Sequence, residues 1–206
     1  MADKLVTKEQ VKARVEVSDA GDDALIDELI EQVTDWIQEY TGRQLVSVDN
    51  VTYVVDTAPG SAIAVPRGIR AVDSLGIALS DQPDSGGSYT AIAAADILLR
   101  PSPIDRKPGW PATSILIRGT TARLGVGYLN GASIVGDVGF ATVPPEIQAV
   151  CIDAVVAAFN ARTSGASDVI GADDAAIAPW SRFFSWGSPQ RQTLNRYRAG
   201  AGMGIA

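Results

Sequence analysis

Histidine is absent from this chain and cysteine occurs once. Without histidine there is no imidazole base, no Ser-His-Asp or Cys-His arrangement and no histidine metal ligand. A single cysteine closes no internal disulfide and builds no cysteine-rich zinc site. Neither a Gly-Lys-Ser/Thr phosphate loop nor a Gly-x-Ser-x-Gly elbow occurs. No uninterrupted apolar run approaches the ~18–20 residues that a membrane span needs. Met1 to Thr7 carries Asp3 and Lys4 and no apolar core, so no targeting segment is expected. These absences predict a chain that is not an enzyme, holds no cofactor or metal and does not enter a membrane.

What is present is enough to fold. The 206 residues, 46% of them apolar, suit one large domain or two small ones with a real core. The formal net charge of −7 argues against a protein that wraps nucleic acid. That charge is unevenly spread. Residues 1–40 hold four basic and eleven acidic side chains, net −7; residues 41–174 are net −4. Residues 175–206 carry Arg182, Arg191, Arg196 and Arg198 and no acid, net +4. An acidic head and a basic tail on one chain suit head-to-tail association or docking on an acidic partner.

Local signals divide the chain into helical ends and a β-patterned middle. Thr7 with Gln10 forms a capping-box pattern, and Val6 and Val11 are placed for a hydrophobic staple, predicting a short helix to about Val15. Asp22 or Gly21 is the expected cap of a second helix. Its apolar residues (Leu25, Ile26, Leu29, Ile30, Val33, Trp36, Ile37, Tyr40) trace one face at 3.6 residues per turn. Gly42 is a natural stop. From Val51 the period changes to two. Strands are expected at Val51–Asp56, Ala62–Val65, Arg70–Leu79, Tyr89–Ala93, Ile97–Arg100, Ser114–Arg118 and Ala122–Tyr128, separated by Pro/Gly turns. Pro144-Pro145 starts another helix with the stripe Ile147, Val150, Cys151, Ala154, Val155, Ala158 and Phe159, which makes Cys151 a packing residue. The stretch from Thr163 to Ala178 reads as a long connection. Ser188-Pro189 caps a last short helix to about Tyr197. The expected fold class is α+β: a small helical bundle (two long helices plus short N- and C-terminal helices) with an inserted antiparallel β sandwich or barrel. Residues 1–50 and 143–206 would form the helical core with a C-terminal arm, and residues 51–142 the insert.

No residues nominate themselves for chemistry. Asp22-Asp23 with Asp27 and Glu28 have the spacing of a helix N-terminus rather than a metal site. Asp168 with Gly171-Ala172-Asp173-Asp174 lacks the alternation of a calcium loop, and Gly125-Val126-Gly127 precedes no helix. One excess does stand out. Of 13 aromatic residues, five (Trp180, Phe183, Phe184, Trp186, Tyr197) fall between 180 and 197, interleaved with four arginines. Arginine with aromatic rings is the composition of interface anchors.

Leu5–Leu45, with its Trp36-Ile37-x-x-Tyr40-Thr41-Gly42-Arg43 ending, resembles the start of the gp6-like head–tail connector (adaptor) proteins of tailed bacteriophages. Gly136–Arg162 looks like that family's Gly-aromatic-Val-Pro-x-x-Ile-x-x-Ala helix. Val169-Ile170-Gly171 followed by Leu194 and Tyr197-Arg198 is a third, weaker match. The resemblance implies a structural virion protein forming a dodecameric ring, docked beneath the portal at the capsid vertex and assembled in the host cytoplasm. DNA would pass through its lumen without sequence-specific binding, and stopper or tail-completion proteins would bind its far side. On this reading Asp27, Glu28, Glu31, Asp35 and Glu39 line the lumen. Trp180, Arg182, Phe183, Phe184, Trp186, Arg191, Arg196, Tyr197 and Arg198 would grip the portal. A stopper protein lying below the adaptor is a related alternative. A carbohydrate- or host-binding module built on the β segment is another, but it would need exposed rings from Tyr53, Tyr89, Trp110, Tyr128 and Phe140. A hydrolase using a carboxylate pair is a further alternative.

Overall fold

A computed structural model describes residues 4–16, 20–58, 60, 62–77, 89–102, 106, 109–118, 130–163 and 187–199. The chain divides into two compact units, one made of Met1–Arg43 and Val143–Ala206 and the other of Gln44–Thr142.

The first unit holds four α-helices: α1 (Lys8–Val15), α2 (Asp23–Thr41), α3 (Pro145–Thr163) and α4 (Pro189–Asn195). α1 starts as its sequence dictates. Gln10 N–H donates to Thr7 Oγ1 at 3.3 Å, and Thr7 N–H donates back to the Gln10 side chain at 2.8 Å. α2 differs at its start. Asp22 takes the cap position with ψ of 2°, outside the extended region from which a cap side chain reaches the helix, and makes no side-chain cap bond. Its end is as expected, with Gly42 at φ 64°. α2 and α3 bury their stripes against each other, and α1 and α4 pack on both. Ile26, Leu29, Ile30, Val33 and Ile37 are fully buried, as are Ile147, Cys151, Ala154, Val155 and Ala158. Burial pushes the Cys151 thiol up to about 12, despite its hydrogen bond with Thr34. A thiol in that range is almost wholly protonated at neutral pH and is a poor nucleophile.

The second unit is one six-stranded antiparallel sheet among the described residues: β1 (Val48–Val55), β2 (Ala62–Ile77), β3 (Thr90–Ala91), β4 (Ile97–Arg100), β5 (Ala112–Ile117) and β6 (Ala132–Val138). The order is β1-β6-β2-β5-β4, with β3 on β2. A sandwich or barrel was expected; the described strands form a single curled sheet. Two expected strands, Ala62–Val65 and Arg70–Leu79, are one bent strand. The residues between the two expected strands form an irregularity within β2, with Gly68 at φ 84° and the β5 register shifting between Ala64 and Ile69. The first half of β2 pairs with β5 and the second with β6, and this change of partner curls the sheet. Tyr89–Ala93 shrinks to the two residues of β3, and Ala122–Tyr128 lies outside the described residues. The inner face gathers Ile63, Val65, Ile69, Leu75, Ile77, Ile115, Ile117 and Ile134.

An interior strand, β6, was not expected; it lies between β1 and β2. Gly131, Gly136 and Gly139 dilute its pattern, yet its burial alternates perfectly along all seven residues. Gly136 is there because β2 comes close: a Cβ at this position would sit 2.2 Å from Ala71 O and 3.0 Å from Val72 Cα. Backbone cannot give way as a flexible side chain can. Gly136→Ala should therefore destabilise the β unit by about 1–3 kcal/mol, as overpacking does. The check is the urea midpoint; an unchanged midpoint would mean that β2 and β6 separate freely.

Candidate partner interface

Two charged surfaces of the helical unit were expected to matter, and the structure treats them differently. The acidic start of α2 is largely neutralised from within. Lys4 Nζ lies 2.8 Å from Asp27 and 3.3 Å from Glu31; Lys8 Nζ lies 2.7 Å from Asp23 and 3.6 Å from Asp27; Lys12 reaches Asp23 at 2.7 Å. Glu28 has Arg162 at 3.8 Å and accepts from Gln32 at 2.7 Å. Asp35 and Glu39 are exposed and take part in none of the ion pairs among the described residues. Of the five acidic candidates, these two keep their negative charge uncompensated.

The lysine ladder fastens α1, whose own sequence buries little. Val11 is the helix's one buried residue, aided by Leu5 and Val6 just before it. Burying a valine contributes roughly 1.5–3 kcal/mol. The half-exposed ion pairs contribute less and chiefly set the register. Lys12 and then Lys8 hold the Asp23 carboxyl below its ordinary range; Lys4 does the same for Asp27. Lys4 and Lys8 are raised in turn, chiefly by their hydrogen bonds to Asp27 and Asp23. Carboxyls lowered by folding stabilise above the ordinary carboxylate pKa and lose that contribution as pH falls through their lowered values. Amide protection across residues 8–15, relative to intrinsic exchange at the same pH, should therefore fall below about pH 4, before that of α2 and α3. Equal protection of α1 at pH 3 and pH 7 would show that the ladder holds nothing.

The basic tail forms the second surface, and its organising residue is Tyr40. The ring stacks on Trp36 one turn earlier, centroids 5.2 Å apart and planes 11° from parallel. The Arg191 guanidinium lies 5.5 Å from the Tyr40 centroid and that of Arg198 lies 5.6 Å away, both within cation–π range. The Tyr40 hydroxyl donates to Asn195 Oδ1 at 2.7 Å and accepts from Arg191 Nε at 3.0 Å. Beyond α4, Ala199 N–H donates to Thr41 O at 2.7 Å, using a carbonyl left over at the end of α2. α4 itself is opened by Ser188, whose Oγ accepts from Arg191 N–H at 3.2 Å, with Pro189 in the first turn.

The nine residues expected to grip a partner therefore separate. Arg191 and Arg198 are brought together on Tyr40, and Arg196 is exposed. Tyr197 is 3% exposed and belongs to the core with Leu194; burial and a hydrogen bond to Glu146 push its hydroxyl up to about 12. Trp180, Arg182, Phe183, Phe184 and Trp186 lie outside the described residues. Reading the aromatic excess as one group missed Trp36 and Tyr40. Both lie on the apolar stripe of α2, and periodicity alone marks them as core. Arg43, the last residue of the Thr-Gly-Arg ending, is 7% exposed, and its Nε and Nη1 have no partner. Desolvation lowers its pKa. Among the described residues no group of three or more His, Cys, Asp or Glu could hold a metal, and no helix is long and apolar enough to cross a membrane.

Comparisons with known proteins bear on the same elements. Residues 7–87, from α1 through β2, match the family model described as phage gp6-like head-tail connector protein. The resemblance carried by Leu5–Leu45 is thus shown by an independent match. Two solved structures are similar in fold. One, "Neck of empty GTA particle computed with C6 symmetry", is 15% identical with a TM-score of 0.57, covering 95% of this chain and 90% of that one. The other, "Neck of native GTA particle computed with C12 symmetry", is 17% identical with a TM-score of 0.50, covering 97% and 95%. No curated protein matches.

Tyr40→Phe keeps the ring and both cation–π contacts but removes two hydrogen bonds. It should loosen α4 by about 1 kcal/mol, read as faster amide exchange at residues 189–195. No change there would mean that Leu194 and Tyr197 alone hold the helix.

Proposed function

We propose that this chain is a structural head–tail connector of a phage-like particle, working as a ring in the neck between a portal and the tail. The observation that carries the reading is the match of residues 7–87 to the connector family model. The fold likeness to neck proteins over nine-tenths of their length supports it. The absence of histidine and of a catalytic pattern fits a protein that acts by shape and repetition. In the β unit the alternative of a sugar-binding face gains nothing from the described rings: Tyr53, Tyr89 and Trp110 are half-buried and Phe140 is buried, while Tyr128 lies outside the described residues.

In the proposed ring the copies number twelve, as the sequence resemblance implies, and the particle is the site of action. DNA passes through the lumen without sequence-specific contacts. Asp35 and Glu39 are the α2 acids left to repel phosphate there, since Asp23, Asp27 and Glu31 already hold lysines. The portal contact falls to the basic surface around Arg191, Arg196 and Arg198, together with the aromatic arm at 180–186. Each exposed charge contributes little, but a ring multiplies it by the number of copies. Stopper or tail-completion proteins take the opposite side.

Removing residues 180–206 would be a poor test, because Leu194 and Tyr197 leave the helical core with the arm. Arg196→Glu is cleaner. Negative-stain images of the purified chain should show rings, alone or on the portal protein of the same particle. Arg196→Glu should weaken portal binding several-fold at unchanged melting temperature, most clearly at low salt. A chain that stays monomeric with and without portal would sink the proposal.

A further inference from the structure

Among the described residues, the β unit carries two sheet edges with no strand alongside, and their properties are complementary. β1 lies at one end of the strand order and β4 at the other. Among the described strands each has one neighbour, β6 for β1 and β5 for β4. Every neighbouring pair along β1-β6-β2-β5-β4 is antiparallel, so after four steps β1 and β4 run in the same direction. The regular part of β1, Val51-Thr52-Tyr53-Val54-Val55, has no charge, proline or glycine to blunt it. Val54, 45% exposed, is the one large apolar side chain that is exposed among the described residues. Along this strand runs a cavity of about 490 Å³, lined mostly by valines of β1, β2 and β6 and also by Tyr53, Gln44 and Arg67. The buried Tyr53 hydroxyl has no partner there, and burial pushes it up to about 12. β4 has the matching character: Ile97, Leu98 and Leu99 are half-buried, and Arg100 at its end is exposed.

We infer that β4 of one copy pairs in parallel with β1 of a second copy of this chain, and that this edge-to-edge contact joins neighbours in the assembly. The inference rests on the ring reading above and locates one of its subunit contacts. A parallel pair brings the two C-terminal strand ends together, setting Arg100 against Asp56, the residue that follows β1. Both are exposed, and Asp56 makes one described bond, accepting Asn130 N–H at 2.8 Å. The charge match favours this pairing over β1 with β1, which would bring like ends or like edges together. An apolar side chain of the incoming strand enters the cavity, and its backbone offers an acceptor to the Tyr53 hydroxyl. Because the two edges differ, the contact is head-to-tail: each copy uses β1 on one side and β4 on the other. Such contacts repeat and close into a ring when the rotation allows.

The test uses the full chain in sedimentation velocity with negative-stain images, and circular dichroism melting confirms that each variant folds. Val54→Lys puts a charge on the apolar edge and should weaken self-association at least about tenfold. Arg100→Asp and Asp56→Arg should each weaken it several-fold by placing like charges together. The double variant restores the opposite pair and should return association to within about threefold of the original. Should Val54→Lys fail to fold, the charge swap decides alone. Rings that form normally in the single charge variants would overturn the edge pairing and leave the connector reading intact. A chain that does not self-associate at all, with or without portal, would overturn both.

Discussion

The packing of α2 on α3 is the contact on which the rest of this molecule depends. It joins residues 23–41 to residues 145–163 across about a hundred residues of sequence. Once those two stripes bury each other, the chain between them must leave the helical unit and return to it. The β segment is thereby compelled to hold together on its own core, and it does so around Ile63, Ile69, Leu75, Ile115 and Ile134. The short helices depend on the same pair. α1 contributes one buried valine and α4 one buried leucine, too little for either to stand alone.

Electrostatics then divides the helical surface. Near the start of α2, lysines from α1 and the segment before it take up Asp23, Asp27 and Glu31. Near its end the aromatic pair Trp36–Tyr40 receives two arginines from the C-terminal segment. The acidic segment has therefore been partly neutralised by its own lysines, and the surplus is what remains for partners. On the acidic side that surplus is Asp35 and Glu39. On the basic side it centres on Arg196 and on Arg198, whose guanidinium is held over a ring rather than paired with a carboxylate. A connector between two different neighbours has use for such separated surpluses.

The β unit poses a different problem, that of sheet edges. Among the described strands the curled sheet has a first and a last member, and most proteins blunt both such edges with charge or proline. Here the β1 edge is valine-rich beside an apolar cavity, and the β4 edge ends in a lone arginine. Both features are liabilities for a solitary molecule. For a chain that repeats around an axis they are what one copy can offer the next.

Much of this was legible in the sequence, because helices announce themselves by period and by caps. The stripes of α2 and α3, the Thr7–Gln10 box, the stop at Gly42 and the burial of Cys151 all follow from spacing alone. So does the change to a β pattern after Val51. Strand pairing was not legible, since period two says which face is buried and nothing about which strand lies alongside. That is why residues 62–77 read as two strands rather than one, and why the glycines in and beside β6 hide an interior strand. Gly136 is explained only by a backbone 2.2 Å away that belongs to β2. The same limit applies to the surface. Sequence determined that Asp27 and Glu31 lie on an exposed helix face and that arginines crowd the C-terminus. Only the tertiary structure decided that Lys4 and Lys8 would neutralise part of that face, that Tyr197 would be buried, and that Tyr40 would receive the arginines. Local periodicity sets the direction of a side chain, whereas its partner arrives from a distant part of the chain once the core has formed.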